Sequence, residues 1–139
     1  MAMEQRSVTP RTPSADQLLG QWRDRYRAAD FTGLTELYHR DAFLLGSTTH
    51  PHIGRDQIQE YFDSLGQVRE PEVEFTEITS RLVRSDVLIV LALASFGLNG
   101  VILPMRLSQV WVEDWSGWLI ASHHASPPAD LRGGLSLQQ

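Results

Sequence analysis

The sequence contains no cysteine. Disulfides, thiolate nucleophiles and cysteine-ligated metals are therefore excluded, and the composition fits a reducing compartment. Lysine is also absent, so all 12 basic residues are arginine. Lysine codons are AT-rich, and a bias this complete points to a GC-rich bacterial genome. Acidic residues outnumber the arginines, giving a net charge of −5 without any basic cluster. A nucleic-acid partner needs a positive footprint, so none is expected. The longest apolar run, Val87 to Ala94, falls far short of the ~20 residues of a membrane span. The N-terminus lacks the apolar core of a signal peptide. A soluble, cytoplasmic protein with no membrane partner is expected. No glycine-rich phosphate loop, internal repeat or low-complexity segment is present.

What is present suits one domain: 139 residues can bury roughly 70% of their unfolded surface, enough for a core without staples. Residues 1–13 read as a flexible arm, residues 14–129 as the domain and residues 130–139 as a flexible tail. Ser14 and Gln17 form a capping-box pattern that opens a helix. Leu18, Trp22, Tyr26 and Ala29 follow along one face of that helix, at steps of four, four and three. A second short helix is expected over Phe31 to Tyr38, a short strand over Ala42 to Leu45, and a polar loop over Gly46 to Ile53. Gly54 opens a third helix with Ile58, Tyr61, Phe62 and Leu65 on its apolar face. A strand from Glu72 to Arg84 slips register near Glu77-Ile78, as a bulge produces. Asp86 to Leu98 is a strand apolar on both faces and needs cover on both. One cover is the helices; the other is a second protomer or a longer loop. Asn99-Gly100 is a hairpin signal. The last two strands flank the Asp114-Trp115-Ser116-Gly117 turn, and the second of them ends in His123-His124.

Helices first and strands later imply an α+β fold, with N-terminal helices packed on a strongly curved antiparallel sheet. Long, bulged strands curl, and a curled sheet crossed by helices encloses a cone-shaped cavity.

Three segments carry a resemblance: Ala28 to Leu34, Leu37 to Phe43 and Gly54 to Ile58. Together they resemble the opening of the nuclear-transport-factor-2-like (SnoaL-like) superfamily. Val110-Trp111, Gly117 to Ile120 and His124 to Ser126 resemble the association domain of calmodulin-dependent kinase II and stand-alone bacterial relatives of the SgcJ/EcaC type. The resemblance spans about Asp16 to Ala129. It implies a cystatin-like cone, a homodimer and a place in antibiotic or polyketide biosynthesis, but no single activity, because this fold hosts many. Ketosteroid isomerases of the superfamily carry an Asp where this chain has Gly46 and a Tyr near Trp22, so that chemistry has no agents here. The three carboxylate-binding arginines of the kinase domain correspond to Ala94, Gln109 and Ala125. The pocket it implies is therefore apolar.

The same alignment turns Ala94, Phe96, Leu107, Gln109, Trp111, Ala121 and His123 toward the cavity. Arg106, Ser108, Val110, Ile120, Ser122 and His124 then face outward, where dimers of the superfamily pack. Some catalytic relatives place an Arg-x-Asp pair toward the cavity, corresponding to Arg106 and Ser108, and that phase inverts the assignment. Trp22, Tyr26, Phe96, Gln109, Trp111 and His123 are the candidate contacts for an apolar small molecule of the polyketide or enediyne type. The aromatic residues among them equally suit plain core packing, and Gln109 equally suits a buried amide bonded to a neighbour. His123 and Arg106 are the candidate catalytic residues, since imidazole titrates near neutrality. A satisfied core or interface histidine is the simpler reading of His123. His50 and His52 have ligand-like spacing but lack a third ligand, so no metal is expected, and no cofactor is implied. Ser122, His123 and Asp114 cannot form a triad, because adjacent strand residues point oppositely. An isomerase, cyclase or hydrolase of this fold and an oligomeric association module remain the alternatives to a binding protein.

Overall fold

In a computed structural model of the chain, residues 12–66 and 68–129 are described. The expected N-terminal arm falls largely outside them, and the tail from 130 wholly so. The first helix, α1, spans Ala15–Arg27 and starts at the expected capping box. Ser14 Oγ accepts from Gln17 N, and Gln17 Oε1 accepts from Ser14 N. Its buried face is Ala15, Leu18, Leu19, Trp22 and Tyr26. Ala29 is not part of it: this residue lies past the helix, exposed, in the left-handed turn (φ 55°) that leads to α2. Arg27 leaves the helix to bind Glu72 and Glu74 at 2.7 and 2.6 Å.

α2 is shorter than expected, Phe31–Thr35, and β1 starts early, at Tyr38–Leu45. Tyr38 is therefore a strand residue rather than the end of a helix. Its backbone is fixed from both flanks. Leu37 O accepts from Ile120 N at 2.8 Å, and Tyr38 O accepts from Arg55 Nε at 2.7 Å. The two-residue strand β2, His52–Ile53, closes the loop expected over Gly46 to Ile53. Gly54 (φ 87°) caps α3, Arg55–Asp63, in a conformation that glycine tolerates best.

Four long strands follow: β3 (Glu72–Arg84), β4 (Val87–Leu98), β5 (Val101–Asp114) and β6 (Gly117–Ser126). The sheet order is β2-β1-β6-β5-β4-β3. It is mixed rather than antiparallel, because β1 runs parallel to β6. In β3, Thr76 faces Leu93 and Thr79 faces Leu91, so Glu77 and Ile78 are the expected bulge, with Glu77 at φ 49°. Asn99 (φ 53°) and Gly100 (φ 90°) make the tight β4–β5 turn, since both central positions of a type I′ turn need positive φ.

A second bulge lies where no glycine marks it. Val110 pairs with Ser122 but Trp111 pairs with Ile120. Ala121 is the extra residue, and the facing of β6 inverts there. Ile120, expected on the outer face, is fully buried, and Ala121 is only half-buried. Bulges of this kind bend and twist strands, and this sheet curves strongly around the helices. Its inner face carries Val73, Leu88, Val90, Leu107, Trp111 and Ile120 against α1 and α3, all buried. Each such side chain contributes about 1.5–3 kcal/mol on leaving water. The outer face of β4 is uncovered: Ile89, Leu91 and Leu93 are 36%, 51% and 42% exposed. No helix among the described residues is long and apolar enough to cross a membrane.

Candidate functional site

The curved sheet and the helices enclose a partly open cavity of about 90 Å³. Trp22 and Tyr26 of α1 form one wall, and Phe62 of α3 and Leu44 of β1 form another. Phe96, Met105, His123 and Ala125 come from the sheet, and the less buried Ser47, Tyr61, Leu65 and Leu103 mark the mouth. The aromatic wall is tightly arranged. Trp22 stacks on Tyr26 with ring centroids 5.3 Å apart, and Phe62, Phe75 and Phe96 meet it edge-on at about 6 Å. Lining carboxylates and guanidinium groups are absent among the described residues.

Four of the six candidate contacts, Trp22, Tyr26, Phe96 and His123, line this cavity. Gln109 and Trp111 do not. They face inward as expected but lie in the packed core beneath it, both fully buried, and bond to each other: Trp111 Nε1 donates to Gln109 Oε1 at 2.8 Å. The alternative strand phase does not hold. Arg106 is exposed on the outer face, where its Nη2 donates to Ser126 Oγ at 3.2 Å, away from the cavity.

The residue that sequence reasoning missed is Tyr38. Its hydroxyl accepts from Trp22 Nε1 at 2.9 Å and lies 2.8 Å from His123 Nδ1. Gln109 Nε2 lies 3.2 Å from the same nitrogen. Two indoles set the direction of every bond in this network, because an indole N–H only donates. The Tyr38 oxygen accepts from Trp22, and the acceptor within reach of the phenolic proton is His123 Nδ1, so the phenol donates there. Trp111 takes the Gln109 carbonyl, so the amide NH₂ faces His123 Nδ1 as well. A proton on Nδ1 would confront the Gln109 N–H. His123 therefore accepts at Nδ1 and carries its proton on Nε2.

Burial fixes that neutral state. His123 is pushed down to about 3 by desolvation, with His124 adding to the effect. Burial raises Tyr38 strongly, and it raises Tyr26 to about 12 with Tyr61 adding to the shift. Both phenols keep their protons at physiological pH. The site is thus uncharged, with donors rather than bases.

The side-chain space at Gly46, the position that the resemblance aligns with the isomerase Asp, is occupied from the other side. A Cβ there would lie 2.8 Å from Tyr61 Cζ and closer still to its hydroxyl. Tyr61 Oη holds the strand end instead, accepting from Ser47 N at 3.2 Å.

The sequence matches the SnoaL-like domain family over residues 15–130. The chain belongs to this family. Solved structures place the domain in the nuclear-transport-factor-2-like, cystatin-like fold. A Xanthomonas campestris protein named for a calcium/calmodulin-dependent protein kinase II association domain superposes with a TM-score of 0.75 at 24% identity, over 86% of this chain and 91% of its own. A Pseudomonas putida NTF2-like protein of unknown function gives 0.74 at 17%, over 81% and 83%. A Parabacteroides distasonis protein named for ketosteroid isomerase gives 0.74 at 13%, over 88% and 94%. At these identities the likeness carries the fold alone. No curated protein matches the sequence. The SnoaL-like domain described here has no group of three or more His, Asp or Glu suited to a metal among the described residues. His52 instead bonds Thr48 Oγ1 at 3.0 Å and packs on Tyr61.

Proposed function

We propose that the domain is a small-molecule pocket protein that holds one ring or apolar end of a ligand in its cavity. The observation that carries this reading is the cavity itself: about 90 Å³, walled by aromatic and aliphatic side chains, uncharged and reached through a mouth. An apolar cavity of ~150 Å³ holds benzene, so this one takes a single ring by widening, or by leaving part of the ring in the open mouth. A larger polyketide- or enediyne-type intermediate of bacterial secondary metabolism would insert one end and leave the rest at the mouth. The isomerase, cyclase or hydrolase alternative lacks a base in the lining, because His123 presents a proton there and no carboxylate stands beside it.

Toluene is a suitable probe. Titrated into ¹⁵N-labelled protein, it is expected to move the Trp22 indole resonance saturably and to leave that of Trp115 unmoved. Trp115 sits at the β5–β6 turn, 97% exposed. A Trp22 resonance that does not respond sinks the pocket reading.

A second copy of the chain is the partner favoured by the outer sheet face. Ile89, Leu91 and Leu93 form an apolar stripe there, and a symmetric dimer would cover the same stripe on both subunits. Native mass spectrometry is expected to give a homodimer that Leu91→Arg splits. A wild-type monomer at micromolar concentration would remove this reading.

A further inference from the structure

We infer that the cavity selects ligands bearing a neutral hydrogen-bond acceptor, a ketone or ester carbonyl, which docks on His123 Nε2–H. The inference rests on the pocket reading and gives it a ligand class. His123 is 7% exposed and lines the cavity, with Nδ1 turned back toward Tyr38 and Gln109. Its Nε2 has no hydrogen-bond partner among the described residues. Nor is it sealed in: Trp118 Nε1 is the one buried side-chain nitrogen or oxygen left unpaired and shut off among them. A donor in an apolar enclosure without an acceptor is costly to leave unmet. The chain therefore offers the cavity a directed N–H whose orientation is held from behind by Tyr38 and Gln109.

Tyr26 supplies a second hydroxyl to the same space. It also lines the cavity, makes no hydrogen bond to the described residues and packs on Trp22, as His123 does at 6.0 Å. The polarity of the site decides the ligand's charge. A carboxylate would be buried without a cation, and burying an unpaired charge is far costlier than burying a carbonyl. An ammonium would meet the His123 proton rather than a lone pair. A carbonyl on a compact apolar body meets both the donor and the aromatic wall.

Cyclohexanone and methylenecyclohexane test this, because they differ only in oxygen against CH₂. Both are expected to bind. Only the ketone should shift the His123 Nε2–H resonance in ¹⁵N-labelled protein, and its bound C=O stretch should fall below that in hydrocarbon solvent. In His123→Leu the ketone should lose about fivefold in affinity, the worth of one neutral hydrogen bond, while the hydrocarbon holds. Cyclohexanecarboxylate should bind more weakly than the ketone. If the hydrocarbon binds and the ketone leaves both spectroscopic signals unmoved, the donor role is overturned and the pocket survives. If neither binds, the pocket reading falls and this inference with it. The wild-type spectra decide the matter even where His123→Leu does not fold.

Discussion

Trp111→Ala is expected to destabilise the protein by about 4–5 kcal/mol, the upper part of the ~3–5 kcal/mol range for emptying a large aromatic site in a packed core. Trp111 is fully buried, between Leu88 of β4 and Ile120 of β6. Its loss leaves a void under the sheet and strips Gln109 Oε1 of its donor. A buried acceptor left unpaired adds about 1–3 kcal/mol by itself. Trp111→Phe largely separates the two causes, since the phenyl ring keeps most of the volume while the N–H donor is lost. Its expected cost is about 2 kcal/mol, near the middle of that range. Urea unfolding of the three proteins gives both values. Because Trp111 is not in the cavity lining, toluene affinity per folded molecule should hold in Trp111→Phe. A large affinity loss per folded molecule would return Trp111 to the ligand wall.

Much of the fold was legible because local chemistry decided it. The Ser14–Gln17 capping box, the Asn99-Gly100 turn and the doubly apolar β4 each follow from a few neighbouring residues. The bulge at Glu77-Ile78 showed itself as a break in alternation. The bulge at Ala121 did not, since Leu119-Ile120-Ala121 reads as apolar whichever way it faces. The parallel β1–β6 pair was equally hidden. Tyr38 starts β1 only because Ile120, far along the chain, bonds Leu37 O. Locally, Phe31, Leu34, Leu37 and Tyr38 fit a helical face, and tertiary pairing overrode that pattern.

The candidate site divided along the same line. Alternation showed which residues share a face, and the family resemblance supplied the phase that turned Phe96, Gln109, Trp111 and His123 inward. Depth could not. Whether an inward residue touches empty space depends on what fills the space in front of it, and Gln109 and Trp111 satisfy each other below the cavity floor. The role of His123 was obscured for a related reason. A histidine in sequence carries no tautomer. Here the tautomer comes from Trp22 and Trp111 acting through Tyr38 and Gln109, a network whose central member was assigned to a helix.

Acid should expose that network. His123 in the folded protein is held down to about 3, chiefly by burial, whereas the unfolded imidazole titrates near its ordinary value of about 6.5. Above pH ~6.5 both states are neutral and the site contributes no pH dependence. Below it the unfolded chain takes up a proton that the folded chain refuses, so stability falls as pH falls, by about 1.4 kcal/mol per pH unit down to the folded value. Between pH 7.5 and pH 4.5 the loss assigned to this residue is about 3 kcal/mol. His123→Gln isolates it, since its amide oxygen can still accept from Tyr38 and the carboxylates elsewhere titrate alike in both proteins. The stability of wild type relative to His123→Gln, measured by urea unfolding at the two pH values, should drop by that amount at the lower one. A difference independent of pH, or a His123 ¹⁵N resonance that titrates near 6.5 in the folded protein, would mean that the ring is neither buried nor locked. Its Nε2 proton would then no longer be a fixed donor, and the case for a carbonyl ligand would lose its physical basis.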